Sequence, residues 1–226
     1  MSEEIEEQIE GMVDKDKKYR DRLIANIKHK KDHPFHNGIH MAAHHLISKE
    51  AVNVAQLGSL LIHRGYNINL VENLVFLPST LQGACQLRVQ LHRGDHIFAL
   101  PDQESYHDQV VLHLKMIKAE LKKCTPKTSN DDAAQRLVDK ESKKVLKKIA
   151  EFRVPLTSIY KNFKPSSKVG CSNHNEISDC EGSISRCINE RNHIGKIDLL
   201  NPNAAIRKVP KTIKYEKSYY QLKIGS

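Results

Sequence analysis

Ile39-His40-Met41-Ala42-Ala43-His44-His45-Leu46-Ile47 sets two adjacent imidazoles inside an apolar run. This composition suits a half-buried β-strand, on which neighbouring residues face opposite ways. His44 and His45 are therefore expected to take different roles unless the strand bends. His40, four residues ahead of His44, has the same parity and is expected on the same face. The preceding His33-Pro34-Phe35-His36-Asn37-Gly38 reads as a turn-rich approach. Its histidines are expected to be loop residues, because a catalytic metal site keeps only about three protein ligands.

Two further stretches carry the rest of the reading. Leu91-His92-Arg93-Gly94-Asp95-His96 holds an i, i+4 histidine pair that converges on one ion if the segment is helical, although Gly94 works against a regular helix. Between the two histidine groups, Tyr66 to Pro78 reads as a polar loop entering a short apolar strand that Pro78 closes. Nine of the 13 histidines fall between positions 33 and 107, a concentration that incidental placement does not easily produce.

Taken in order, Ala43-His44-His45, then Asn73-Leu74-Val75-Phe76-Leu77-Pro78, then Leu91-His92-Arg93-Gly94-Asp95-His96 resembles the AHH family of the HNH/endonuclease VII nuclease superfamily, over residues 33 to 121. The resemblance implies a ββα-metal core, in which a hairpin and a helix grip one divalent cation at a phosphodiester. It implies a metal-dependent endonuclease with DNA as the favoured substrate, and many relatives are toxin modules of bacterial competition systems. By the resemblance, His45 is the general base and His44 a metal ligand from the first strand. His92 and His96 complete the metal platform, with His107 and His40 as additional candidates. Asn73 matches the family's central Asn, which braces the hairpin and orients the base, and Arg93 would hold a phosphate. Relatives run from the histidine pair almost directly into a helix bearing a Tyr. Here residues 97 to 105 intervene, so His96 and His107 both stand as the helix-borne ligand. An all-imidazole platform suits zinc or nickel, and a water-rich shell would also admit magnesium or manganese.

The expected fold class is α+β and predominantly helical: a small ββα-metal core embedded in helices, followed by a loop-rich basic C-terminal extension. The expected division is a nuclease domain with an N-terminal helix over 1–124 and the extension, packed on it, over 125–226. Along the chain, residues 3 to 30 read as one amphipathic packing helix, and Ser48 as the cap of a helix that Arg64-Gly65 stops. Ser79 to Gln90 is ambiguous between irregular chain and a short helix. Asp102 to Lys123 and Ala133 to Phe152 read as strong helices, the second capped through Asn130 or Asp131. Cys85, flanked by apolar residues, reads as a buried thiol.

At 39% hydrophobic and 5% aromatic residues with no Trp, the core should be modest and aliphatic. The net charge of +9 is uneven: residues 1–110 carry 12 Lys and Arg against 15 Asp and Glu, and residues 111–226 carry 24 against 12. If nucleic acid is the substrate, the second half would supply much of the sequence-independent attraction to its backbone. No apolar run approaches a membrane span, and the acidic Met1-Ser2-Glu3-Glu4 is the opposite of a signal-peptide start. The expectation is synthesis in a bacterial cytoplasm and export by a specialised secretion system or fused delivery domain. Action would follow in the target-cell cytoplasm, with a cognate immunity protein in the producer. Cys171, His174, Cys180 and Cys187 are candidate ligands of a second, structural zinc, though none of their gaps is a Cys-x-x-Cys. Two alternatives accompany the endonuclease: an RNase of the same fold, and a non-enzymatic zinc-stabilised nucleic-acid binder.

Overall fold

The computed structural model describes residues 11–124, 132–165, 214–217 and 219–226. The candidate zinc ligands Cys171, His174, Cys180 and Cys187, and the proposed caps Asn130 and Asp131, lie outside the described residues. The fold is α+β, with two antiparallel strands and six α-helices among the described residues. Strand β1, Met41–His45, pairs with β2, Leu74–Pro78, in a register that sets His44 opposite Val75 and His45 opposite Leu74. Both strands are buried almost throughout, so β1 is not the half-exposed strand its composition suggests. The reason is coverage on every side. Helices α1 (Tyr19–Ile27) and α4 (Leu81–Leu87) pack on the hairpin, and the free edge of β2 is closed by the end of the chain, where Phe76 N donates to Ser226 O at 2.8 Å.

The hairpin is joined by an insertion rather than a tight turn. Ser48 caps α2 (Lys49–Val54) by accepting from Ala51 N at 3.1 Å, as its position ahead of the apolar run suggests. The single helix expected to run on to Arg64 instead breaks into α2 and α3 (Gly58–His63). Gln56 takes a left-handed backbone (φ 54°), Leu57 N closes on Val52 O, and Leu57 is thereby buried. Asn73 then ties the insertion shut. Its side chain accepts from Ile47 N (2.7 Å) and donates to Ile47 O (3.0 Å) and Ile68 O (2.9 Å), and Ser142 Oγ donates to it at 2.9 Å. With Asn73 fully buried, Asn73→Ala strands several polar groups at once. Its unfolding midpoint in urea should fall by an amount worth about 3 kcal/mol or more.

Helix α5, Tyr106–Lys123, begins at the Ser105 cap and buries Tyr106, Val110, Leu114, Ile117 and Leu121, the stripe its periodicity marks. Helix α6, Ala133–Ala150, packs on α5 and shares one apolar cluster with the hairpin, as do Tyr215 and Leu222. Between the two helices His113 donates from Nδ1 to Glu141 Oε2 at 2.6 Å, and Lys144 closes the same carboxylate. Lys140, Lys143, Lys144 and Lys147 lie exposed along the other side of α6.

Two further expectations fail. Residues 11–18 are not helical: Gly11 N donates to Ile62 O and Met12 N to Tyr66 O, and α1 starts only at Tyr19. Gly11 makes that approach possible, since a Cβ there would lie 2.8 Å from Tyr66 N. Cys85 is buried as expected, but it is disulfide-bonded rather than a thiol.

The clasp between the chain's end and the hairpin contains a pH-sensitive joint. His33 Nδ1 accepts from Phe35 N, so its Nε2 carries the proton and donates to Tyr220 OH at 2.9 Å. Burial, followed by the charge of His36, pushes the His33 pKa down from 6.5 to about 4. A depressed histidine stabilises fully above its unfolded value and loses that contribution as pH falls through the folded one. Metal-free protein should therefore lose melting temperature between pH 6.5 and about 4. The loss should be shallower in His33→Gln, read as melting temperature against pH for both proteins.

Candidate metal centre and active site

Three chain segments meet at one cleft of ≈ 590 Å³, lined by His44 and His45 from the end of β1, by His92 and His96, and by Ser48, Lys15 and Lys49, among others. His92 and His96 come from the irregular stretch between α4 and α5, not from a helix. Positive φ at Arg88 (52°), Gly94 (73°) and His96 (62°) explains why their i, i+4 spacing does not form one. A left-handed non-glycine residue at a candidate ligand is backbone strain held in place by its surroundings.

The three rings of His44, His92 and His96 form a near-equilateral triangle, with centroids 4.9, 5.0 and 4.9 Å apart. One nitrogen from each lies within 4.8 Å of the others. Hydrogen bonding fixes which nitrogens face inward. Tyr106 OH donates to Leu46 O at 2.6 Å and therefore accepts from His44 Nε2 at 2.9 Å, leaving the His44 Nδ1 lone pair open. His96 Nδ1 donates to Leu156 O at 3.1 Å, which leaves its Nε2 lone pair open. His92 Nε2 faces His44 Nδ1 at 3.0 Å. Two imidazoles on one tetrahedral ion would sit roughly 3.3 Å apart at bonds of about 2.0–2.1 Å. The His44–His92 pair is within a few tenths of an ångström of that spacing, and three imidazole nitrogens within 4.8 Å of one another are a donor set that suits a divalent cation.

Protonation does not compete at neutral pH. Burial, then the neighbouring His92 and His96, holds the His44 pKa well below its usual value. Burial and His96 bring His92 down to about 3, and burial lowers His96 as well. All three are neutral at pH 7, the charge state a metal takes.

His45 stands beside the triangle and is held differently. Its Nε2 lies 3.1 Å from Asn69 Oδ1. The Asn69 amide is oriented by two other contacts, Nδ2 donating to Asp14 O at 2.7 Å and Oδ1 accepting from Asp16 N at 3.2 Å. His45 Nε2 must then be the donor, so Nδ1 is its basic nitrogen. Tyr19 packs on the same ring at a centroid distance of 4.5 Å. Burial is the main cause that brings the His45 pKa to about 4, which keeps the imidazole neutral and able to accept a proton.

Residues 25–151, more than half of the chain, match the family described as AHH, a nuclease family of the HNH/ENDO VII superfamily with conserved AHH. The chain belongs to the AHH nuclease family. Its two-stranded hairpin among helices is the α+β arrangement expected of a small ββα-metal nuclease. No curated protein and no solved structure matches the chain.

Within this AHH nuclease, the remaining candidates are distributed unevenly. His107 lines the cleft, but both its nitrogens are occupied, Nδ1 by Ser48 Oγ at 2.9 Å and Nε2 by Asp95 O at 2.8 Å. His40 precedes β1, outside both the triangle and the cleft lining, and its carbonyl accepts from Ser79 N. Arg93 is exposed and donates from Nε to Ser79 O at 3.1 Å, and it does not line the cleft. Asn73 braces the hairpin but does not touch His45; the amide that does is Asn69, which sequence reasoning missed. Tyr106 and the Leu156 carbonyl were missed as partners of the triangle, as was Lys15. A signal for Asn69 existed: it is a polar residue between Ile68 and Leu70, fully buried.

Proposed function

We propose that this AHH nuclease is an endonuclease that hydrolyses phosphodiesters of DNA, with a divalent cation held by His44, His92 and His96, and His45 as general base. The observation that carries the reading is four imidazoles in one cleft, three converging on a point and the fourth held with its basic nitrogen free. A phosphodiester resists attack because its charge repels nucleophiles and its leaving oxygen is poor. The cation, when bound, supplies a positive charge that offsets both problems. His45 takes the proton of the attacking water at Nδ1, while Asn69 holds the ring through Nε2. Tyr106 and the Leu156 carbonyl keep His44 and His96 in the tautomers that face the cleft. The ion class stays within zinc, nickel, magnesium and manganese, and the imidazole donors favour the transition ions.

DNA is favoured by the family resemblance, and the excess of Lys and Arg in residues 111–226 supports a polyanionic substrate. The same resemblance supports a toxic module of a bacterial effector, made in the cytoplasm, delivered by a secretion system and restrained by an immunity protein. The Cys85 disulfide suits a chain that meets an oxidising compartment. No helix among the described residues is long and apolar enough to cross a membrane. Purified protein incubated with supercoiled plasmid, linear duplex and RNA separates the outcomes. Nicking of plasmid supports the reading, cleavage of RNA alone replaces DNA by RNA, and tight binding without turnover to any of them replaces the enzyme by a binder. Expression without a protective partner should arrest growth, and healthy cells accumulating soluble wild-type protein would contradict the toxin role.

A further inference from the structure

The cleft holds a cation that the triangle and the base do not use. Two lysines line it, Lys15 and Lys49, together with the carboxylates Glu50 and Asp95. Lys49 is paired with Asp14. Lys15 is exposed and has no ion-pair partner among the described residues. Lys15 and the four imidazoles of His44, His45, His92 and His96 line the same cleft.

The backbone around Lys15 is built to keep it there. Residues 11–18 are tied down by Gly11 N to Ile62 O, Met12 N to Tyr66 O and Ile68 N to Met12 O, each at 2.8 Å. Closer in, the Asn69 amide holds the residues on either side of Lys15, taking Asp14 O on Nδ2 and Asp16 N on Oδ1. Asp16 is anchored in turn by Arg22 at 2.6 Å. The same Oδ1 accepts from His45 Nε2, so one buried amide indexes the lysine and the base to each other. Arg93, the cation anticipated for phosphate binding, lies outside the cleft lining. Lys15 also precedes the family-matched residues 25–151, so it belongs to a segment the family match does not describe.

We propose that Lys15 binds a phosphate oxygen of the nucleic-acid substrate beside His45, presented by the 11–18 segment through Asn69. The proposal rests on the nuclease reading above. An ammonium in this position offers a compact point charge to a phosphate as the pentacovalent charge develops, with its backbone fixed beforehand.

The test compares Lys15→Gln and Lys15→Arg with wild type, in metal-loaded full-length protein, by steady-state plasmid cleavage. It is joined by salt-dependent binding of a labelled DNA duplex to the same variants carrying His45→Ala. Lys15→Gln should lower kcat/KM by about 10- to 100-fold, the loss of one charge-assisted contact. It should also reduce the slope of log affinity against log salt by about 0.9, with bound metal and melting temperature unchanged. Lys15→Arg should keep most of the activity and the full slope. Wild-type kinetics and an unchanged slope in Lys15→Gln overturn the proposal while leaving the nuclease intact. Equal loss in the Gln and Arg variants with a lowered melting temperature also overturns it, by making Lys15 structural. A wild type that cleaves nothing overturns the nuclease reading, and the lysine's role falls with it.

Discussion

His45→Ala should cut turnover by about 10²- to 10⁴-fold while leaving the metal content of the protein unchanged. The separation follows from geometry. His45 is not a member of the triangle, its Nε2 is spent on Asn69, and its removal leaves the contacts of His44, His92 and His96 intact. The loss should lie in kcat rather than in substrate affinity, because a base acts only once the proton begins to move. Asn69→Ala should produce a milder version of the same defect, since it frees the ring without deleting it. Single-turnover cleavage with metal analysis of the same samples checks both. Metal loss in His45→Ala equal to that in a triangle variant would show that the two adjacent histidines have exchanged roles.

His44→Ala is expected to have the second large effect and a different signature. It removes one of three donors and also leaves Tyr106 OH, buried and hydrogen-bonded to His44 Nε2, without its donor. Metal affinity should fall at least 10- to 100-fold, the range seen when even an outer partner of a ligand is lost, and cleavage should fall with it. Raising the metal concentration should restore part of the cleavage in His44→Ala and none in His45→Ala. Tyr106→Phe should fall between the two, weakening metal binding through the His44 ring while sparing its donor atom. Titration calorimetry with zinc, run beside the cleavage assay, reads all of these. Undiminished affinity in His44→Ala would move the cation elsewhere.

The parts of the site that were legible in the sequence are those written in side chains of distinctive chemistry near their point of action. The His44-His45 pair with its apolar flanks announced a strand, though not its burial on both faces, and His92 and His96 announced a second donor group. The folding details between them were not legible. The choice between Asn69 and Asn73 depends on a 3-10 turn, Val71–Asn73, that sends one amide to Ile47 and leaves the other facing His45. The Leu156 carbonyl has no side-chain signature, since any residue would supply it. It reaches His96 because Gln90 accepts from Leu156 N at 2.9 Å and donates to Ile149 O and Val154 O at 2.8 Å each, clamping that loop to the stretch after α4. Lys15 was hidden by periodicity. Tyr19, Leu23 and Ile27 fall at helical spacing, and extending the pattern upstream swallowed residues 11–18, whose real partners are backbone groups some fifty residues away.

Cleavage of supercoiled plasmid by the wild-type protein, before chelation, after EDTA and after add-back of zinc, nickel, manganese or magnesium, tests the centre most directly. The arrangement of His44, His92 and His96 predicts nicking that EDTA abolishes and at least one of these ions restores. Nicking that persists in excess EDTA, or its absence with every one of the ions, would contradict it.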